Sequence, residues 1–230
     1  PLDGVEHLKT CFAGVPFERP EYRNNLIPWL LGAVVFDRLM NPPFLVVSGN
    51  QQGIGKSVTV QAAGYILTGE LPSPIDYAGA EFGKQLSARF RECDRLIFLD
   101  NVVTSDGKSF DNPQLSGLLT QGFSKKLRIL GKSSSVSAEG LLFAASLNDA
   151  KLSADLATRS LLVKLYKEKN SPMEPFCTEY AMAHRRQLYG ELLGLAMRPS
   201  KKKCDPHEAF RFRRWLEFVQ PRIEEAFGKM

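Results

Sequence analysis

Short apolar runs alternate along the chain with longer stretches whose apolar positions recur at helical spacing. Phe44-Leu45-Val46-Val47 is brief and β-branched enough for a buried parallel strand. Pro42-Pro43 closes off the helix before it, because proline lacks the N–H and turns its predecessor away from α geometry. Arg95 to Leu99, Leu141 to Ala145 and Leu161 to Leu165 repeat the strand pattern, and Leu71 to Asp76 hides a short further strand. Helical periodicity covers Ser57 to Leu67, Ala80 to Arg91, Pro113 to Gln121, Glu179 to Met197 and Glu208 to Phe227. Residues 1 to about 40 read as two helices around the loop Gly14 to Pro20, with the most apolar stretch, Leu26 to Met40, as a buried amphipathic helix. Asn101 to Asn112 reads as a polar loop with Asp106-Gly107 as its turn. Lys126 to Leu130 alternates like a hairpin strand, turning at Gly131 to Ser135. Strands alternating with helices predict a parallel sheet covered on both faces. Ligands then bind at the carboxyl ends of the strands, where every polar residue discussed below is expected, the hairpin apart.

Length and composition narrow this picture only a little. The 230 residues, 43% hydrophobic and 24% charged, suit one α/β domain with helical appendages. We divide the chain into a helical segment at 1–42, a core at 43–170 and a second helical segment at 171–230. The net charge of +5 suggests an anionic partner, shared between nucleotide and nucleic acid. Cys11, Cys93, Cys177 and Cys204 form no C-x-x-C pair, and with three His they argue against zinc. A reduced, cytoplasmic setting follows. No apolar run approaches the roughly 20 residues of a membrane span, and no signal peptide is visible. Because the chain starts at Pro1, it reads as a fragment of a longer polypeptide.

The strongest chemical signal follows the first strand: Ser48-Gly49-Asn50-Gln51-Gln52-Gly53-Ile54-Gly55-Lys56-Ser57, opening a helix that continues at Val58. Gly53 and Gly55 allow positive φ, so successive amides converge on phosphate oxygens, and the helix N-terminus adds partial positive charge there. The residues from Gly49 to Val58 are therefore the expected nucleotide cradle. Lys56 reaches the β- and γ-phosphates and Ser57 offers a hydroxyl to Mg²⁺. The strict pattern has glycine at position 50; asparagine there is tolerable because it accepts left-handed geometry. The competing reading is an ordinary strand–turn–helix with a solvated lysine.

Leu96 to Leu99 ends in Asp100, placed to hold Mg²⁺ beside Ser57. Asn101 stands where glutamate would polarise an attacking water; an amide orients water but accepts no proton at neutral pH. Asn148, just past a third strand, either positions that water or is a turn residue. Arg159 either reaches a neighbouring subunit's γ-phosphate or pairs with Asp155 one helical turn earlier.

Taken in order, these stretches resemble the ATPase domain of phage- and plasmid-type primase–helicases, in the AAA+ group near the superfamily 3 helicases. Leu127-Arg128-Ile129-Leu130-Gly131-Lys132-Ser133 is similar to that family's R-hydrophobic-L-G-K segment. Ala145-Ser146-Leu147-Asn148 with Asp155-Leu156-Ala157-Thr158-Arg159-Ser160 is similar to its T-x-N … D-L-x-R-R segment, and Phe210 to Trp215 to its R-F-R-x-W helix start. Thr158 replaces the first arginine of the usual pair, and Asn101 an acidic residue. The resemblance implies an AAA+-like P-loop fold, with an inserted β-hairpin and helical terminal segments. It also implies ATP and Mg²⁺ as cofactors and a homo-oligomeric, commonly hexameric ring acting on single-stranded or forked DNA, of bacterial, phage or plasmid origin. The hairpin from Lys125 to Val136 then projects into the central channel, and its cations Lys125, Lys126, Arg128 and Lys132 suit phosphate contacts; a solvated, lysine-bearing sheet edge is the plain alternative. The resulting expectation is an ATP-driven DNA helicase or translocase with Lys56, Asp100, Asn101, Asn148 and Arg159 as catalytic residues. A slow ATP-dependent switch or scaffold comes second and a kinase third.

Overall fold

The computed structural model of the chain describes residues 1–35, 42–77, 81–92, 94–104, 108–120, 126–128, 135–137, 141–148, 151–168, 177–200 and 212–228. In chain order these hold α1 (Glu6–Cys11), α2 (Pro20–Val34), β1 (Phe44–Gly49), α3 (Lys56–Thr68), β2 (Pro74–Ile75), α4 (Glu81–Arg91), β3 (Leu96–Val102), β4 (Ser109–Phe110) and α5 (Pro113–Thr120). They continue with β5 (Lys126–Arg128), β6 (Ser135–Ser137), β7 (Leu142–Asn148), β8 (Lys151–Leu152), α6 (Ala154–Ala157), β9 (Ser160–Leu165), α7 (Cys177–Met197) and α8 (Arg213–Phe227).

Five strands form the central sheet in the order β2-β3-β7-β1-β9, each pair parallel. The continuous burial of Phe44 to Val47 and of Leu96 to Leu99 follows from that arrangement, since a strand covered on both faces needs no polar alternation. One face buries Leu45 and Val47 against Leu8, Trp29, Ile66, Leu192 and Trp215, joining both terminal helical segments to the sheet. The other face buries Phe44 and Val46 with Phe82, Leu115 and Leu156 from α4, α5 and α6. Glu191, almost fully buried on α7, accepts the His7 and Leu8 amides at 2.9 and 2.8 Å. Those amides are orphan donors of the first turn of α1, so α7 supplies the cap that α1 lacks locally.

The strands and helices expected from periodicity appear, with three differences. Asn101 to Asn112 is not simply a loop: β3 runs through Val102, and Ser109–Phe110 pairs in parallel with Lys151–Leu152. Val102 and Phe110 are buried, which holds both pieces down. Helix α2 begins earlier than expected, at Pro20, a residue well suited to a first helical position, and is described to Val34. Residues 36–41, the end of the Leu26 to Met40 stretch, lie outside the described residues, as do 208–211 at the expected start of the last helix. The expected hairpin is present as an antiparallel pair with Leu127 opposite Val136; Lys125 and Lys132 lie outside the described residues. Finally, Arg159 is not at a carboxyl end. Phe44 pairs with Ser160 and its amide donates to Arg159 O at 2.9 Å, which places the arginine at the amino end of the sheet. No helix among the described residues is long and apolar enough to cross a membrane.

Candidate functional site

Strand β1 stops at Gly49 and the chain turns back before α3 begins at Lys56. Gly53 and Gly55 take φ of 72° and 98°, the left-handed geometry expected of them. Gly49 serves differently: a Cβ there would come within 2.8 Å of Ile54 Cγ2, so its missing side chain lets the buried Ile54 seat beneath the loop. Asn50 departs from expectation. Its φ is not positive; among the described non-glycine residues only Asn101 has one, at 52°. Tolerance of left-handed backbone therefore does not explain asparagine at position 50. Among the described residues, the amides of Gln51 to Gly55 donate to no protein acceptor. They crowd one turn together with the N-terminus of α3, the arrangement that favours an anion. Lys56, only 5% exposed, donates from Nζ to Gln51 O at 2.9 Å, folding back over its own loop.

A cleft of about 520 Å³ opens beside this turn, lined by Gln52, Gly53, Gly55, Lys56, Ser57, Val58, Asn101 and Asn148. Asp100 lies next to this lining, bonded to Ser57 and followed by Asn101. Ser57 Oγ donates to Asp100 Oδ1 at 2.5 Å, joining the helix start to the end of β3. Ser146 Oγ, fully buried on β7, donates to the same oxygen at 2.5 Å. The Asn101 amide lies 3.0 Å from that oxygen and 2.9 Å from Ser146 Oγ. Register explains the convergence: the β3–β7 pairing slips between Leu99 and Val102, and this bulge with its left-handed Asn101 turns the amide inward. Asn148 Nδ2 donates to Asn101 Oδ1 at 2.9 Å, while Asn148 Oδ1 is buried and has no hydrogen-bond partner among the described residues.

Lys56, Ser57, Asn101 and Asn148 thus line one cleft, with Asp100 and Ser146 bonded to that lining. Ser146 stood in the T-x-N-like stretch of the sequence but was given no role there, because its bond to Asp100 depends on β7 lying beside β3. A hydroxyl and a carboxylate meeting beside a loop whose amides donate to no described protein acceptor form a hard-oxygen donor set, which fits Mg²⁺ carried by a polyphosphate. Arg159 lies apart. Its guanidinium holds Asp155 with two bonds, of 3.1 and 2.7 Å, and also donates to Thr120 Oγ1. Within one chain the Asp155 pairing is therefore the arrangement observed. The six residues of β1 put its two ends five steps apart, so roughly 17 Å of sheet divides Arg159 from the loop that follows β1.

No family model and no curated protein matches the chain. Solved structures do. The apo C-terminal region of NrS-1 superposes over 82% of this chain with a TM-score of 0.55 at 16% identity, and a second form over 81% with 0.53 at 15%. JCV helicase overlays 85% of the chain more loosely, with a TM-score of 0.48 at 16% identity. The chain spans 45% of the NrS-1 region and 55% of the JCV helicase structure, about half of each. What this chain shares with the C-terminal region of NrS-1 is the fold, a central parallel sheet flanked by helices, as the alternation of strands and helices in the sequence anticipated.

Proposed function

We propose that this chain is the motor domain of an ATP-driven DNA helicase or translocase, hydrolysing ATP between subunits of a ring. The observation that carries the reading is the cleft in which unpaired loop amides, Lys56 Nζ and the Ser57–Asp100 pair converge. The loop amides and Lys56 bind the phosphates. Ser57 and Asp100 hold Mg²⁺, which draws charge from the phosphoryl oxygens in reaction. Asn148 Oδ1, buried and lacking a partner among the described residues, is the acceptor that orients an attacking water beside Asn101. Arg159 completes the site of a neighbour, and the cationic hairpin, Lys125, Lys126, Arg128 and Lys132, contacts the DNA backbone. A hexamer acting on single-stranded or forked DNA is the assembly this reading calls for.

One observation favours a second reading. No carboxylate lines the cleft at position 101, and the Asn101 side chain is engaged by Asn148. Slow turnover would suit a switch or scaffold that binds ATP without unwinding. The deciding experiment is an ATPase assay with and without single-stranded DNA, run beside size measurement in a non-hydrolysable ATP analogue. The motor reading expects DNA-stimulated turnover and nucleotide-dependent oligomers; assembly with turnover indifferent to DNA would select the switch. Lys56→Ala should abolish hydrolysis in either case, and undiminished turnover in that variant would remove the phosphate assignment itself.

A further inference from the structure

Asn50 occupies the position where the phosphate-loop pattern has glycine, yet its backbone does nothing that glycine alone allows. Its side chain does something glycine lacks. Strand β1 runs beside β9 up to the pair Gly49–Leu165, and the Asn50 amide adds one more bond of that ladder, to Leu165 O at 3.3 Å. Beyond that point the main chain leaves the sheet, but the pairing does not end. Asn50 Nδ2 donates to Lys167 O at 2.9 Å, and the Lys167 amide donates to Asn50 Oδ1 at 3.2 Å. A carboxamide carries the same donor and acceptor as a peptide group. Here it takes the place of the two bonds that a continuing parallel strand would have made to Lys167 through the Asn50 carbonyl and the Gln52 amide.

We propose that Asn50 is the positioning residue of the phosphate loop, its carboxamide standing in for a peptide group so that β9 stays paired while the real backbone turns away. The consequence falls on the loop. If the main chain had to satisfy Lys167 instead, the strand would run on and the Gln52 amide would be committed to the Lys167 carbonyl. With the side chain holding Lys167, the amides of Gln51 to Gly55 remain turned away from protein acceptors. The same two bonds fix the start of the loop at its root, limiting the conformations it must give up when an anion binds. Ile54 seated against Gly49 pins the far side, so the turn is held at both ends. Glycine, the motif's own residue, is then the wrong one for this chain.

This inference rests on the nucleotide-binding reading, and the test separates the two. Asn50→Gly and Asn50→Ala are compared with the native chain for binding of a fluorescent ATP analogue with Mg²⁺, for kcat and KM, and for hydrogen exchange at the Lys167 amide. Both variants should raise the Kd and KM for nucleotide by about tenfold, with kcat within about twofold of native, because two modest hydrogen bonds position the loop but touch no reacting atom. The Lys167 amide should exchange faster in both. Asn50→Gly binding as tightly as native, or more tightly, would overturn the proposal, as would an unchanged Lys167 amide. A native chain that fails to bind the analogue would sink the nucleotide reading instead, and the exchange rate alone would then decide the role of Asn50. Asn50 is exposed, so neither substitution disturbs the core.

Discussion

Asp100 Oδ1 accepts hydrogen bonds from Ser57 and Ser146, each at 2.5 Å, and from the Asn101 amide at 3.0 Å. Three donors on one oxygen fix the carboxylate before any cation arrives. Ser57 can keep this bond while an oxygen lone pair ligates a metal, and Ser146, fully buried, offers no ligand of its own. Ser146→Ala should therefore weaken the orientation of Asp100 without removing a ligand. We expect the Mg²⁺ concentration for half-maximal ATPase to rise by about three- to tenfold, with turnover nearly restored at saturating Mg²⁺. A variant with a native Mg²⁺ profile would reduce Ser146 to packing. A second residue-scale prediction concerns Cys177, whose thiol is pushed up from 9.0 to about 11, chiefly by burial. Burial likewise raises Cys11, helped by the charge of its neighbour Cys177. The unfolded thiols ionise first, so this contribution to stability is intact below pH 9 and is lost as pH rises toward 11. Melting temperature should fall over that window, and less steeply in Cys177→Ala; parallel curves would refute the assignment. At this scale the sequence displayed Lys56, Ser57 and Asp100 plainly, because loop glycines and a strand-terminal acid leave a linear trace. The partnership of Ser146 with Asp100 leaves none, since it exists only through the β3–β7 register.

Helix α2 crosses α8 where Gly32 faces Trp215. A Cβ at Gly32 would lie 2.0 Å from Trp215 Nε1 and 2.7 Å from Cδ1, and the indole is almost fully buried. Inside a helix, replacing glycine with alanine ordinarily gains about 1 kcal/mol. The indole reverses the sign here, because its ring has no room to retreat from a core shared with Leu26, Trp29 and Val219. Gly32→Ala should cost about 2 kcal/mol by overpacking, seen as a fall in melting temperature of roughly 4–8 °C for a chain of this size. An equal or higher melting temperature would mean that α8 slides aside, and that the crossing is softer than its packing suggests. Elements of this sort were readable in kind but not in contact. Hydrophobic periodicity located α2 and the last helix, yet nothing in either segment says that they meet. The short pair Ser109–Phe110 and Lys151–Leu152 was missed for the opposite reason: two residues carry no periodicity, and only burial of Phe110 marks the place.

The fold places the phosphate loop and Arg159 at opposite ends of one sheet, and that separation governs what the whole molecule must do to use both. Arg159 O is tied to Phe44 at the amino end, while Gly49 pairs with Leu165 and Asn148 at the carboxyl end. No hinge within a sheet of five parallel strands closes roughly 17 Å. The arginine therefore either serves its own chain as the partner of Asp155 and Thr120, or serves the site of another copy. A mixing experiment distinguishes the two. Lys56→Ala lacks a working loop but keeps Arg159, and Arg159→Ala has the reverse defect. If each site is shared between neighbours, equal mixing places an intact loop against an intact arginine at about a quarter of the interfaces of a closed ring, and ATPase returns toward that fraction. If Arg159 acts only within its own chain, no combination repairs either defect and the mixture stays at the mean of its two parts. The arginine variant alone should also bind nucleotide as tightly as the native chain, since its contribution arises in the transition state across the interface. Mixtures without recovery, together with a lowered melting temperature for Arg159→Ala, would return the residue to its salt bridge and leave the ring without its link between subunits.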